Sequence, residues 1–198
     1  GTYDQYQLQR GFQVFHQVCA GCHGMKYVPF RQLGREDGPN FPDEQVKAIA
    51  AQYQCANEET PDPADTRPCR AYDTFPENNM MNAPDMSLIA KARAGFHGPY
   101  GTGLSQLFNG IGGPEYIYTL LMSYTGEQQM QAGTVLYENT AFQGGDYIAM
   151  AQPLYGNDVD YAAYGQGDGY TPPEPTMEQE AKDVSAFLMW AAEPRMIE

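Results

Sequence analysis

The hydrophobic pattern of the chain is strongest at its two ends. Near the N-terminus, apolar and small residues recur every three or four positions, which predicts an amphipathic helix over residues 4–19. Near the C-terminus, Thr176-Met177-Glu178-Gln179 fits a capping box, and helical spacing of apolar residues continues to a break at Pro194. This pattern predicts a closing helix over about residues 177–192.

The pattern between these two helices is weaker. It predicts a short helix over residues 43–53, a helix running from Pro84-Asp85 to Ala94, and another that follows Gly112-Gly113-Pro114 and ends near residue 125. Residues 24–83 otherwise carry turn signals, so we expect an insertion lobe with little regular structure. Residues 126–175 are rich in Gly, Tyr, Asn and Asp, so we expect long ordered loops there. The whole chain, 1–198, is therefore predicted to be one mainly α domain.

Composition narrows the choice of partners. The chain has 198 residues, 42% of them hydrophobic, which suffices for one substantial core. Eleven basic against twenty-five acidic residues give a net charge of -14, which argues against nucleic acid and anionic lipid headgroups as ligands. No Lys or Arg lies between Arg93 and Lys182, whereas ten carboxylates lie between Glu115 and Glu180 inclusive. We therefore expect a long acidic surface that suits a basic partner.

The ends of the chain carry no targeting pattern. No apolar run reaches the roughly 18 to 20 residues that cross a bilayer, and the first residues lack the basic and apolar regions of a signal peptide. We expect a soluble chain that has already been processed or trimmed.

The clearest chemical motif is Cys19-Ala20-Gly21-Cys22-His23, the attachment signature of c-type haem. Two thiols at this spacing can bond the two vinyl groups of one porphyrin, and the histidine that follows lies beneath the iron. The alternatives are a redox Cys-x-x-Cys pair and half of a zinc site. The sequence lacks both the βαβ surroundings of the first and a second cysteine pair at zinc-ligand spacing for the second.

A haem iron in an electron carrier usually takes a second axial ligand, and methionine opposite histidine raises the reduction potential. Met150 is the favoured candidate among ten methionines, because it lies in an apolar patch within the Gly-rich loops. The cluster Met80, Met81 and Met86 and the imidazole of His97 stay open as alternatives. Methionines on the terminal helix are expected to pack in the core.

The remaining cysteines, Cys55 and Cys69, cannot hold a second haem, because they are far apart and neither precedes a histidine. We expect a disulfide, which would close a loop of about 15 residues and stabilise the fold by about 3 kcal/mol. Two free buried thiols are the alternative.

Motifs along nearly the whole chain resemble the cytochrome c1 family, the haem subunits of quinol:cytochrome c oxidoreductase (bc1) complexes. The segments that carry this resemblance are residues 10–15, the haem motif, Ala83-Pro84-Asp85-Met86-Ser87 with Ala92-Arg93, Gly112-Gly113-Pro114-Glu115-Tyr116, Met150-Ala151-Gln152-Pro153, and residues 183–194. The resemblance implies a class I-like c-type cytochrome, in which a helical core surrounds one covalent haem c and carries long irregular loop insertions.

The resemblance also implies individual roles. Cys19 and Cys22 would form the thioethers and His23 the proximal ligand, with Met150 as the distal ligand. Arg93 would pair with a haem propionate, and Pro84 would line the pocket.

The function implied is one-electron transfer from the Rieske iron-sulfur protein to a basic cytochrome c, in a complex with cytochrome b. The protein would face the bacterial periplasm, held to the membrane by a C-terminal helix absent from this chain. Two alternatives are a haem enzyme or gas sensor of the peroxidase type with an open distal site, and an acidic assembly module whose haem is mainly structural.

Overall fold

The computed structural model describes residues 3–60, 62, 64–78, 80–93, 112–163 and 169–193. The alternative ligand His97 and the predicted helix end at Ala94 lie outside these residues, as does Asp168 of the acidic stretch. Within the described residues, no helix combines the length and the apolar character needed to span a bilayer.

The first helix, α1, spans Gln5–Val14 and continues directly as a π-helical turn over Phe15–Cys19, which confirms the predicted helix. Asp4 caps its N-terminus, because the Asp4 carboxylate accepts hydrogen bonds from the backbone N–H groups of Tyr6 and Gln7 at 2.9 and 3.2 Å. The apolar face of α1 is buried, and the π-helical turn delivers the chain to the two cysteines of the motif.

The helix that closes the domain at the C-terminal end of the described chain spans Met177–Ala191, as predicted. The Thr176 side chain accepts a hydrogen bond from the backbone N–H of Gln179 at 3.2 Å. The Gln179 side chain donates to the Asp183 carboxylate one turn further along the helix, at 2.9 Å. The backbone N–H of Thr176 donates to the carbonyl oxygen of Glu174, so the second hydrogen bond of a capping box is not formed. We label this helix α5, because it is the fifth α-helix in chain order among the described residues.

The core forms where α1 crosses α5. Gly11 allows close contact, because a Cβ atom at this position would lie 2.0 Å from the carbonyl oxygen of Asp183. Arg10 donates from Nε and Nη2 to the Asp183 carboxylate at 2.7 and 3.1 Å, and both side chains are buried. The rings of Phe12 and Phe187 meet edge to face beside this pair, with centroids 5.6 Å apart. The crossing therefore combines a buried ion pair with aromatic packing.

Residues 30–93 form short elements. A 3-10 helix spans Phe30–Gly34, α2 spans Asp43–Ala50, β1 (Gln54–Ala56) pairs antiparallel with β2 (Thr66–Pro68), and a 3-10 turn spans Met80–Asn82. Helix α2 confirms the predicted short helix but ends three residues before the predicted end. The division of the chain into a core and an insertion lobe over 24–83 stays a prediction.

The helix predicted to run from Pro84-Asp85 to Ala94 is wrong in extent, because α3 spans only Ile89–Ala92. The reason lies in Asp85, whose carboxylate accepts hydrogen bonds from the backbone N–H groups of Ser87 and Lys26, each at 2.9 Å. Asp85 thus forms a local turn and joins a distant segment, so it does not cap a helix. Helix α4, Gly113–Met122, begins where predicted and ends three residues before residue 125.

The expectation of loops throughout residues 126–175 is wrong, because a three-stranded antiparallel sheet occupies part of this region. Its strands are β3 (Tyr124–Gln131), β4 (Thr134–Asn139) and β5 (Tyr147–Ile148), in the order β3-β4-β5. Ala132 and Gly133, with φ of 48° and 83°, make the turn between β3 and β4. The sequence does not predict β3, because this strand has no buried face over residues 125–131, which are all exposed. Its residues therefore do not alternate between apolar and polar, which is the usual signal of a strand.

Candidate functional site

The haem motif lies in a tight turn at the end of α1. The backbone N–H groups of Cys22 and His23 both donate to the carbonyl oxygen of Cys19, at 3.1 and 3.0 Å. Cys19 is half-buried and Cys22 is exposed. This single turn places two sulfur atoms and an imidazole on one short segment, as covalent attachment of one porphyrin requires.

The alternatives for the motif lose support in the structure. Burial of the Cys19 sulfur atom, together with the charge of the Cys22 thiolate, raises the pKa of Cys19 to about 12, whereas a redox Cys-x-x-Cys pair needs a lowered thiol pKa. Among the described residues, the one group of three or more candidate metal-ligand side chains whose ligand atoms lie within 4.8 Å is Cys55, Cys69 and Asp73, and it excludes the motif. A tetrahedral zinc site at the motif therefore lacks ligands in the described part of the chain.

His23 is oriented by the backbone. Its Nδ1 lies 2.8 Å from the carbonyl oxygen of Pro84, and a carbonyl can only accept a hydrogen bond. Nδ1 therefore carries the proton, and the lone pair of Nε2 is left for a metal. A second partner of this kind is what fixes the tautomer of a metal-ligating histidine. The residues present thus fit a haem iron at Nε2.

The segment around Pro84 is tied to the residues that follow the motif. The backbone N–H of Met86 donates to the carbonyl oxygen of Gly24 at 2.8 Å, and that of Tyr27 donates to the Ser87 hydroxyl at 3.0 Å. With the bond from Lys26 to Asp85, these contacts hold the Pro84 carbonyl in place. Sequence reasoning missed Asp85 and Ser87 as positioning residues, although an Asp in a loop is a signal for a turn in which its carboxylate binds the backbone two residues on.

Four of the other methionines compete poorly for the distal ligand position. Met25, Met86 and Met189 are buried in the hydrophobic core, and the side chain of Met80 is 55% exposed. Met150 is half-buried, and its carbonyl oxygen accepts a hydrogen bond from the Tyr124 hydroxyl at 3.0 Å. Tyr124 was also missed by sequence reasoning. Met150 itself stays a prediction as the ligand.

The predicted site residues are brought together only in part. Cys19, Cys22, His23 and Pro84 form one cluster, joined by the bonds described above. The exposed Arg93 follows α3. Within the described residues, neither Arg93 nor Met150 hydrogen-bonds to the Cys19–His23 segment.

The disulfide between Cys55 and Cys69 is present, which confirms that prediction over two free thiols. Their Cα atoms lie 5.0 Å apart, and Cys55 belongs to β1 while Cys69 directly follows β2. The backbone N–H of Cys69 also donates to the carbonyl oxygen of Tyr53 at 3.0 Å. The bond therefore closes a small hairpin that contains little apolar core of its own.

The predicted acidic surface needs one correction. Glu180 is fully buried, and its carboxylate accepts hydrogen bonds from the backbone N–H groups of Asp158 and Val159 at 2.9 and 3.3 Å. Burial, aided by the nearby Asp158 carboxylate, raises the pKa of Glu180 to about 7. Glu180 therefore stabilises a loop inside the protein. Seven other carboxylates of the stretch are exposed, namely Glu115, Glu127, Asp146, Asp158, Asp160, Glu174 and Glu178.

Comparison with known proteins places these features in context. Residues 1–198 match the model of the Cytochrome C1 family. The chain is 47% identical to a cytochrome c1 of Cereibacter sphaeroides, with 100% of this chain and 73% of that protein covered. It is 40% identical to a cytochrome c1 of Rhodobacter capsulatus, with 100% and 74% covered. It is 37% identical to a mitochondrial cytochrome c1 heme protein of Neurospora crassa, with 98% and 54% covered.

Proposed function

The chain belongs to the cytochrome c1 family, and from that premise we propose that Cys19 and Cys22 hold its haem through thioether bonds while His23 is the proximal ligand. Members of the family bind one covalent haem c and transfer electrons in the bc1 complex. This chain is accordingly an electron-transfer subunit and no enzyme by itself, with a mainly α fold compatible with a c-type cytochrome core.

One observation supports the proximal assignment more than any other, namely the contact between His23 Nδ1 and the Pro84 carbonyl. The haem, when bound, supplies a one-electron couple at iron. His23 contributes the imidazole, and the Pro84 carbonyl sets its orientation. The tight turn over residues 19–23 fixes the spacing of both thiols relative to that imidazole.

Met150 is the proposed distal ligand and Arg93 the proposed partner of a haem propionate. A methionine opposite His23 would leave no open coordination position, which disfavours a peroxidase-like enzyme or gas sensor. Arg93 is exposed, and no described carboxylate lies within ion-pair distance of its guanidinium. Within the described residues, no carboxylate neutralises the positive charge of Arg93, so this charge can pair with a propionate.

The experiment that tests the haem assignment is expression with a c-type haem maturation system, followed by a pyridine haemochrome spectrum and extraction with acidic acetone. We expect a haem that remains with the polypeptide and the spectrum of two saturated thioether links. The variants Cys19→Ala and Cys22→Ala should each retain at most one link. Haem that washes out of the unchanged protein would contradict the proposal.

We also propose the immediate partners. The Rieske iron-sulfur protein would be the electron donor, cytochrome b a neighbour in the complex, and a basic cytochrome c the acceptor. A periplasmic location, with a membrane anchor beyond the C-terminal end of this chain, belongs to the same proposal. The net charge of -14 and the exposed carboxylates of residues 115–178 support a basic acceptor, because opposite charges accelerate encounter.

Salt should slow electron transfer to such an acceptor. Raising ionic strength from about 0.01 to 0.15 M shortens the screening length from about 30 to 8 Å, so the second-order rate of oxidation by a basic cytochrome c should fall at least about tenfold. Stopped-flow absorbance measures this rate. An acidic cytochrome c of similar potential is the control, and a rate with the basic partner that does not respond to salt would argue against steering.

A further inference from the structure

We propose that Asn78 is a positioning residue for haem attachment, which holds the loop between the two cysteines by hydrogen bonds to its backbone. The Asn78 side-chain nitrogen donates to the carbonyl oxygens of Ala20 and Gly21, at 3.0 and 2.9 Å. These are the two residues that separate Cys19 from Cys22. The inference rests on the proposed attachment of haem at those cysteines.

The two carbonyl groups need an external partner because of where they lie. Ala20 is the C-terminal cap of the π-helical turn, and the last carbonyl groups of a helix have no partner within it. The planar amide of Asn78 carries two N–H donors, so one side chain can satisfy both carbonyl oxygens. The loop is thereby fixed at the two peptide groups that set the spacing of the thiols.

Asn78 is itself held at both ends. Its side-chain oxygen accepts a hydrogen bond from the backbone N–H of Met80 at 3.2 Å, and its backbone carbonyl accepts one from Gly24 at 3.0 Å. Gly24 allows this contact, since a Cβ atom there would lie 2.5 Å from the backbone nitrogen of Asn78. Asn78 therefore joins both sides of the motif, the loop before His23 and the glycine after it.

The chemistry of the contact is specific for an amide. An aspartate would place a carboxylate oxygen against two carbonyl oxygens, which repel it, and would add negative charge beside the attachment loop. A leucine branches at Cγ like asparagine but carries two methyl groups there, so it leaves both carbonyl groups without this donor. Negative charge or unpaired carbonyl dipoles at the attachment loop would favour the oxidised, more positive form of a haem bound there. Both changes should therefore lower the reduction potential.

The test compares holo-protein carrying Asn78→Asp or Asn78→Leu with the unchanged protein. Loss of two hydrogen bonds worth about 1 kcal/mol each corresponds to about a thirtyfold effect on local opening, since about 1.4 kcal/mol is a factor of ten. We expect amide hydrogen exchange at Cys22 and His23 to accelerate at least about tenfold, the potential to fall, and the yield of covalent haem to decrease. Exchange in α5, for example at Leu188, should be unchanged.

The exposed Asn40 provides a control, because Asn40→Asp adds the same charge at a residue for which the described part of the chain shows no hydrogen bond to residues 19–23. Unchanged exchange and potential in both Asn78 variants would overturn the inference, as would equal acceleration at Leu188, which would indicate only a general loss of stability. If the unchanged protein binds no covalent haem, the proposed function fails on its own, and exchange at Cys22 and His23 still tests the loop contact.

Discussion

Replacing Met150 with leucine should lower the reduction potential of the bound haem by more than about 0.1 V, because a thioether opposite histidine stabilises reduced iron and axial ligation tunes haem potentials over about 0.8 V. The substitution keeps the volume and apolar character of the side chain, so the fold should tolerate it. The hydrogen bond from the Tyr124 hydroxyl goes to the Met150 backbone and is retained. The effect is therefore expected at the metal and only slightly in stability.

A redox titration measures the potential, and the near-infrared band of ferric haem with sulfur ligation should disappear. The reduced variant should also bind carbon monoxide, which the unchanged protein should not. Met80→Leu is the matched control, since the Met80 side chain is 55% exposed and should affect neither property. An unchanged potential and spectrum in Met150→Leu would assign the sixth position to another residue.

Helices that bury one continuous face were predictable from the sequence. The α1 face with Leu8, Phe12 and Phe15 repeats at helical spacing and is buried as expected. The closing helix combines such a face with a Thr176 cap. The disulfide was predictable because few other roles suit two such cysteines, whereas the proposed ligand role of Met150 depends on tertiary placement and stays a prediction.

The elements that sequence reasoning missed are those whose contacts lie outside their own segment. Strand β3 is stabilised by its pairing with β4, for example Gln129 with Leu136, and not by an apolar face. Asn78 and Asp85 act through hydrogen bonds to backbone groups almost 60 residues away. Glu180 resembles a surface residue in the sequence, and only the fold reveals that it is buried. No local pattern encodes the distant partners of Asn78, Asp85 and Glu180, which lie more than 20 residues away along the chain.

The second large effect is expected for Gly11→Ala, which should lower the free energy of unfolding by about 3 kcal/mol or more. Helix propensity alone predicts the opposite sign, because alanine favours a helix over glycine by about 1 kcal/mol. The added methyl group would lie 2.0 Å from the Asp183 carbonyl oxygen and 2.7 Å from the Phe187 Cβ. Since the first contact is with backbone, α1 and α5 must move apart, which also strains the buried ion pair between Arg10 and Asp183.

Chemical denaturation measures the loss, and thermal unfolding should show a midpoint lower by about 6 to 12 °C for a chain of this size. Gly21→Ala is the control for the free energy of unfolding, because its Cβ would meet no protein atom within 4 Å and should change that energy little. Equal or greater stability of Gly11→Ala would mean that α1 and α5 do not cross at this glycine. Cys19 is the last residue of the π-helical turn that continues α1, so separation of α1 from α5 should also reduce the yield of covalent haem. In Met150→Leu, that yield should be unaffected.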